Sequence, residues 1–399
     1  MEILNSKHIL IIVENLPVPF DRRVWQEATT FREAGAEVSI ICPQMKGYTA
    51  PFEILNEIEI YRHPLPLEAR GASGYLREYG AAIFHELRLA KKIYRKKPFQ
   101  IIHGCNPPDL IYITALFFRN KGVKYVFDHH DINPELYIAK YDRKDFFYRL
   151  LCYFERQTFK HAVASIATNE SYKEIAVKRG KMHPDHVTVV RSGPKLDRLK
   201  LQDPILSIKK GRKYLIGYLG VIGEQEGIDL LLESARYICK RRQDVQFAIV
   251  GGGSDLELLK SLSANMGLEE FVDFYGRVPD PQMLDVLNTA DVCVNPDKPT
   301  EMNNLSTMNK IMEYMALKKP IVQYDLKEGR FSAQKASLYA KNTSTEDFAQ
   351  KIMYLLNNED VRNEMAEYGY SRVLNELSWD YENKKLIDFY SRVLSDQFE

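Results

Sequence analysis

Short apolar runs alternate with longer amphipathic stretches along the whole chain. In the first half, residues 9–13, 37–42, 58–61, 100–103, 124–128, 164–168 and 187–191 read as strands. Most are nearly continuous apolar runs, as expected of strands buried on both faces of a parallel sheet. Between them, residues 22–34, 75–96, 108–120, 142–161 and 170–179 carry apolar positions at helical spacing. This alternation predicts a doubly wound α/β architecture.

Periodicity fails across residues 193–211, where Pro194, Pro204 and Gly211 interrupt any face, and this segment reads as a linker. The pattern restarts at 214–220, with further strands at 245–250, 272–275, 291–294, 320–324 and 337–339. Helices are predicted at 228–240, 255–266, 282–289, 306–317, 345–357, 360–376 and 381–394. The expected organisation is an N-terminal Rossmann-like domain over 1–195 and a second over 196–375. A helix within 376–399 crosses back to the first domain. Ligands of such sheets sit outside the carboxyl ends of the strands, beside helix N-termini. Two such domains are expected to face a cleft.

With 399 residues, 45% of them hydrophobic, the chain is long enough for two cores. Lys plus Arg is 55 against 54 Asp plus Glu, a net charge of +1, which argues against bulk binding of nucleic acid. The five cysteines are scattered with no CxxC, so they read as reduced thiols, not a zinc site. No apolar run reaches the roughly 18 residues that a membrane span needs. The expectation is a cytoplasmic protein.

Two glycine clusters stand at predicted strand ends. Gly217, Gly220, Gly223 and Gly227 follow the first strand of the second domain, and Gly251, Gly252 and Gly253 follow the second. Such turns let backbone N–H groups approach an anion, although a tight βα turn needs glycine as well. Neither has GxGxxG spacing, which weakens a nicotinamide or flavin reading. Ser254 with Glu257 has capping-box spacing, and Ser306 or Thr307 is placed to cap the helix at 306–317. On that helix Lys310 and Glu313 lie one turn apart. They are either an exposed ion pair or a phosphate contact and a ribose acceptor.

Several segments in order carry a family resemblance. These are residues 15–27 (NLPVPFDRRVWQE), 125–135 (YVFDHHDINPE), 250–253 (VGGG), 275–278 (YGRV), 309–320 (NKIMEYMALKKP) and Ser378-Trp379. The chain resembles the GT-B glycosyltransferases, and among them glycosyltransferase family 4, the group 1 transferases, over nearly its whole length. The resemblance implies retaining, metal-independent transfer of a sugar from a UDP- or GDP-linked donor, with no cofactor. It implies that His130 and Asp131 lie near the reacting sugar, and that Glu313 accepts from the donor ribose with Lys310 near the phosphates. Gly220, Gly223 and Gly251 would border the diphosphate, Gly276 and Arg277 the base. Asn304 and Asn309 would complete the donor side; Asn15, Asp21, Arg22 and Arg23 would form the acceptor side.

Two positions depart from the family pattern. Many relatives carry a Glu eight residues ahead of the position of Glu313, where this chain has Leu305. Many also carry an Arg and a Lys where this chain has Val221 and Glu226. Lys310, Arg277 or Arg191 would then neutralise the diphosphate. Residues 84–97 and 142–161 combine basic and aromatic side chains. They read either as an ordinary solvated face or as a surface for an anionic membrane, with a glycan or lipid-linked glycan as acceptor. The leading reading is synthesis of a bacterial surface glycan. A GT-B nucleotide-sugar 2-epimerase and a catalytically silent nucleotide-sugar-binding subunit are the alternatives.

Overall fold

The computed structural model describes residues 4–65, 71–395 and 397–398, with backbone only for 71–79. The chain forms two compact units, Met1–Ser192 with Glu382–Glu399, and Gly193–Tyr381.

The first unit contains β1 (His8–Val13), α1 (Arg22–Glu33), β2 (Glu37–Pro43), β3 (Phe52–Leu55), β4 (Ile58–His63), α2 (Gly71–Lys96), β5 (Ile101–Cys105), α3 (Ile111–Leu116), β6 (Lys124–His129), α4 (Asn133–Tyr141), α5 (Phe146–His161), β7 (Ala164–Ala167), α6 (Glu170–Lys178) and β8 (Val187–Val189). Its eight strands lie in the order β3-β4-β2-β1-β5-β6-β7-β8. All pairings are parallel except that of β3 with β4. The apolar runs end buried on both faces: every residue of β1 and of β5 is inaccessible or nearly so. The order reverses between β1 and β5, so the crevice at a topological switch point opens there.

The second unit contains β9 (Tyr214–Leu219), α7 (Ile228–Cys239), β10 (Val245–Val250), α8 (Leu256–Asn265), β11 (Val272–Gly276), α9 (Asp280–Thr289), β12 (Val292–Asn295), α10 (Glu301–Leu305), α11 (Asn309–Ala316), β13 (Ile321–Tyr324), α12 (Lys327–Ala333), β14 (Ser337–Ala340), α13 (Thr345–Asn357) and α14 (Glu359–Arg372). Its parallel sheet runs β11-β10-β9-β12-β13-β14, with the switch point between β9 and β12. The closing helix α15 (Trp379–Leu394) lies across the boundary, and its residues from Glu382 onward pack in the first unit.

Several expectations are corrected. The segment 193–211 is not a free linker. Leu199 is buried in the core of the second unit beside Leu215 and Leu287, and the Ile205 amide donates to Thr289 Oγ1 at 2.8 Å. The helix expected at 142–161 is α5, which starts four residues later, and α4 before it was not expected. Asp142 takes a left-handed conformation that ends α4, and Asp145 caps α5 by accepting from Phe147 N. The Ser254–Glu257 capping box does not form, because the N-cap is Asp255 and Ser254 donates to its carboxylate. The helix expected at 306–317 starts later, with Met308 at its N-cap.

Candidate active site

In the first unit, Asn15 follows β1 and Asn106 follows β5, on either side of the switch point. Asn106 is fully buried and holds the loop after β6. Its Oδ1 accepts from the amides of His130 (2.7 Å) and Asp131 (3.1 Å), and its Nδ2 donates to Asp131 O (2.6 Å) and Asp109 Oδ1 (2.9 Å). Strand alternation then divides the two adjacent histidines. His129 is buried among Phe127, Phe159 and Tyr172. His130 turns to the opposite face, where its Nε2 meets Asp128 Oδ2.

Asp128 is the centre of a buried ionic group. Arg23 Nη2 lies 2.9 Å from Asp128 Oδ1 and 3.0 Å from Glu27 Oε1, and Arg23 Nη1 donates to Val190 O and Ser192 Oγ at 3.0 Å each. Burial works to raise Asp128, but Arg23 and then His130 hold it well below the carboxylate range. Burial likewise opposes charge on His130, and Asp128 and then Cys105 hold its imidazole well above its usual value. Asp131 is pushed up by burial, against the pull of His130.

This arrangement separates the residues expected on the acceptor side. Asp21 accepts from the Val24 amide as N-cap of α1, and Arg22 is exposed. Arg23 is 9% exposed and turned inward, so its guanidinium supports Asp128 and is not presented to an acceptor. Glu27, Cys105, Asp128 and His130 place ligand atoms within 4.8 Å of one another, a spacing a metal ion can use. The Arg23 guanidinium already stands between the two carboxylates, so the set does not fit a resident metal. Glu135, from the same resemblance segment as His130, is buried and accepts from Arg179 Nη2 at 3.0 Å.

In the second unit, the loops after β9, β10 and β11 interlock. Gly220 N donates to Val250 O (3.0 Å), Ile222 N to Gly252 O (3.2 Å) and Gly251 N to Gly276 O (2.9 Å). A Cβ on Gly251 would lie 1.7 Å from Gly220 O, and one on Gly253 would lie 2.1 Å from Ile222 O. Backbone packing between loops therefore accounts for Gly251 and Gly253, and a ligand is not needed to explain them. Gly276 has φ +66° with open space where a Cβ would be, next to the exposed Arg277. A Cβ on Gly220 would fall 3.3 Å from Lys310 Nζ, and one on Gly223 2.9 Å from Glu226 Oε2, so both glycines border charged groups.

Lys310 projects from the first turn of α11 to the switch point. Its Nζ lies 2.8 Å from Asp297 Oδ1, just beyond β12, and 4.9 Å from the Tyr218 ring centroid on β9. Burial opposes its charge, but Asp297 raises it above the usual lysine range. Val221 is 60% exposed, and burial raises Glu226 despite Lys310. Glu313, one turn after Lys310, pairs with Arg198, whose Nη1 also lies 3.1 Å from Asp280 Oδ2. Asn309 is exposed at the start of α11. Asn304 Oδ1 accepts from Lys327 N (2.8 Å) at the start of α12, so that oxygen is committed to structure. Arg191 is buried in the first unit, its amide donating to Glu382 Oε2 at 3.0 Å.

Sequence reasoning missed Asn106, Glu27, Asp297 and Arg198. Asn106 had one signal, its place before Pro-Pro-Asp at a strand end. Arg198 had none, because it lies where periodicity fails.

Two Rossmann-like domains, each with polar loops gathered at its switch point, define the GT-B type of transferase fold. A model described as "Glycosyl transferases group 1" matches residues 203–372, and one described as "Glycosyltransferase Family 4" matches residues 21–198. The chain belongs to the group 1, family 4 GT-B glycosyltransferases, and it spans about half the length of the yeast relatives it matches. It is 22% identical over 264 residues to the phosphatidylinositol N-acetylglucosaminyltransferase GPI3 subunit of Saccharomyces cerevisiae, covering 65% of this chain and 55% of the yeast protein. It is 24% identical over 341 residues to the capsular polysaccharide biosynthesis glycosyltransferase CapM of Staphylococcus aureus, covering 79% of this chain and 83% of CapM. The Anabaena protein HepE, solved with UDP and glucose, superposes with a TM-score of 0.73 at 14% identity, covering 96% of this chain and 99% of HepE. No helix among the described residues is long and apolar enough to cross a membrane.

Proposed function

We propose that the enzyme moves a sugar, with retention and without a bound metal, from a UDP- or GDP-linked donor to an acceptor in surface-glycan synthesis. The observation that carries the donor assignment is Lys310. A buried ammonium, fixed by Asp297 at the switch point beside Gly220, is suited to a diphosphate leaving group, whose developing charge must be stabilised. Glu313 lies one helical turn on and would accept from the donor ribose, with Arg198 as its present partner. The charges absent at Val221 and Glu226 throw more of the diphosphate onto backbone amides and Lys310. The capsule relative and the UDP and glucose bound by HepE support a glycan acceptor and a uridine donor. His130, held charged beside Asp128, serves the reacting sugar as a hydrogen-bond donor.

Calorimetric titration with UDP- and GDP-sugars tests this reading, and the anomeric configuration of the product tests retention. Glu313→Ala should weaken nucleotide binding about tenfold, the cost of one good hydrogen bond to a charged group. Unchanged affinity would put the ribose elsewhere.

A lipid-linked acceptor is favoured by the outer helices of the first unit. Phe84 (63% exposed), Phe117 and Phe146 (71% exposed) lie on α2, just after α3, and on α5. Lys91 sits 5.1 Å over the Phe117 ring, so a cation and an exposed aromatic ring meet where α2 and α3 adjoin. Co-sedimentation with anionic vesicles at low salt should pellet the protein, and salt should release it; no pelleting would remove the membrane from the model.

A further inference from the structure

One histidine in the first unit has no part in the reading above. His103 lies on β5 and is fully buried. Its ring is wedged between three other elements. From α1, Glu27 Oε2 lies 3.2 Å from its Nε2, with the Phe31 ring centroid 5.9 Å away. From β6, Asp128 Oδ2 lies 3.4 Å from the same nitrogen. From α15, the Tyr390 hydroxyl hydrogen-bonds its Nδ1. Cys105 on β5 and, through Asp128, Arg23 and His130 complete the titratable surroundings.

The geometry fixes the proton on Nε2. Both groups facing that nitrogen are carboxylate oxygens, which can only accept. Asp128 Oδ2 is therefore approached by two imidazoles, hydrogen-bonded by His130 and faced by His103 at 3.4 Å without a hydrogen bond, and by Arg23 Nε at 3.3 Å. A side chain contributed by the last helix thus reaches Asp128 through two polar contacts and His130 through a third. Tyr390 also packs on Phe31, with centroids 4.4 Å apart, so its hydroxyl is aimed by an apolar contact that does not need it.

We propose that His103 is a positioning residue for the active site, which, anchored by Tyr390 of α15, orients the Asp128 carboxylate and through it His130. The catalytic consequence rests on the reading that His130 serves the reacting sugar. His103 touches neither donor nor acceptor. It holds one oxygen of Asp128 in the place where His130 can donate to it, as outer partners orient the working ligand in other polar sites.

Two variants and two readouts test this on the full chain. Tyr390→Phe removes one oxygen and keeps the ring, and His103→Gln keeps a donor near the Nε2 position while losing the contact to Tyr390. The first readout is the ring ¹⁵N resonances of His130 at neutral pH, which report its protonation and hydrogen bonding without any substrate. The second is turnover of the nucleotide-sugar found by titration. In Tyr390→Phe the melting temperature should stay near that of the parent, and the His130 resonances should shift. The kcat should fall roughly tenfold, the size seen on losing an outer partner, with KM for the donor unchanged. His103→Gln should shift the resonances less and retain more turnover than His103→Leu. A His130 signal unmoved in both Tyr390→Phe and His103→Leu would overturn the proposal. Shifted resonances with undiminished turnover would uphold the coupling and instead refute the role given to His130.

Discussion

Two neighbouring histidines on β6 show how much a single residue position decides. His130 gains a carboxylate. His129 gains only an aromatic cage, and neither of its ring nitrogens has a hydrogen-bond partner. Burial, followed by Arg179, lowers His129 to about 3. The unfolded chain binds a proton near pH 6.5 that the folded chain refuses until about pH 3. The stability His129 permits is therefore complete above about pH 6.5 and lost as pH falls through that window. His129→Phe should flatten the fall in melting temperature between pH 6.5 and 4 while changing stability at pH 8 by less than about 1.5 kcal/mol, as for volume-conserving swaps. An acid limb as steep as that of the parent would mean that another group carries it. The sequence marked His130 over His129 through its family motif, and strand alternation makes the physical choice. Asn106 and Arg23 were not legible in the same way. The partners that define them lie 24 and 105 residues along the chain, and no local spacing encodes such pairs.

At the scale of elements, the apolar runs predicted every strand except β3. Phe52 and Ile54 are exposed on that edge, so it lacks the continuous burial that marks its neighbours. Helices were misjudged where polar side chains bound them, as at Asp142, which ends α4, and Asp145, which starts α5. The glycine clusters were legible as special positions, but their cause was not, because it lies in contact between loops. That cause separates two adjacent glycines. Gly251 has φ +148° and would drive a Cβ into Gly220 O, whereas the nearest atom to a Cβ on Gly252 is Arg277 Cβ at 3.6 Å. Gly251→Ala should cost about 3 kcal/mol or more and disturb nucleotide binding through the Gly220 turn, and Gly252→Ala should melt near the parent. Equal melting of the two variants would contradict the interlocked loops.

For the whole molecule, the chain order hides a dependence. The first unit is not finished when its eight strands are made, because it lacks residues 382–399. Leu386, Phe389, Tyr390 and Val393 are each at most 1% exposed, Lys124 Nζ donates to Val393 O at 2.6 Å, and the Arg191 amide donates to Glu382. Burying four such side chains contributes roughly 6–12 kcal/mol, at about 1.5–3 kcal/mol each. That is the size of the whole stability of a typical domain, about 5–15 kcal/mol. The second unit is continuous from Gly193 to Tyr381 and has its own sheet and cores. A chain ended after Tyr381 should therefore keep the melting transition of the second unit and lose that of the first, with proteolysis concentrated before Gly193. Residues 193–381 alone should unfold cooperatively and still bind nucleotide, since Lys310, Asp297, Glu313 and Arg198 all lie within them. If the chain ended after Tyr381 keeps both transitions, α15 is an accessory to the first unit; if it loses only the first, the fold of the first unit waits on the last residues of the chain.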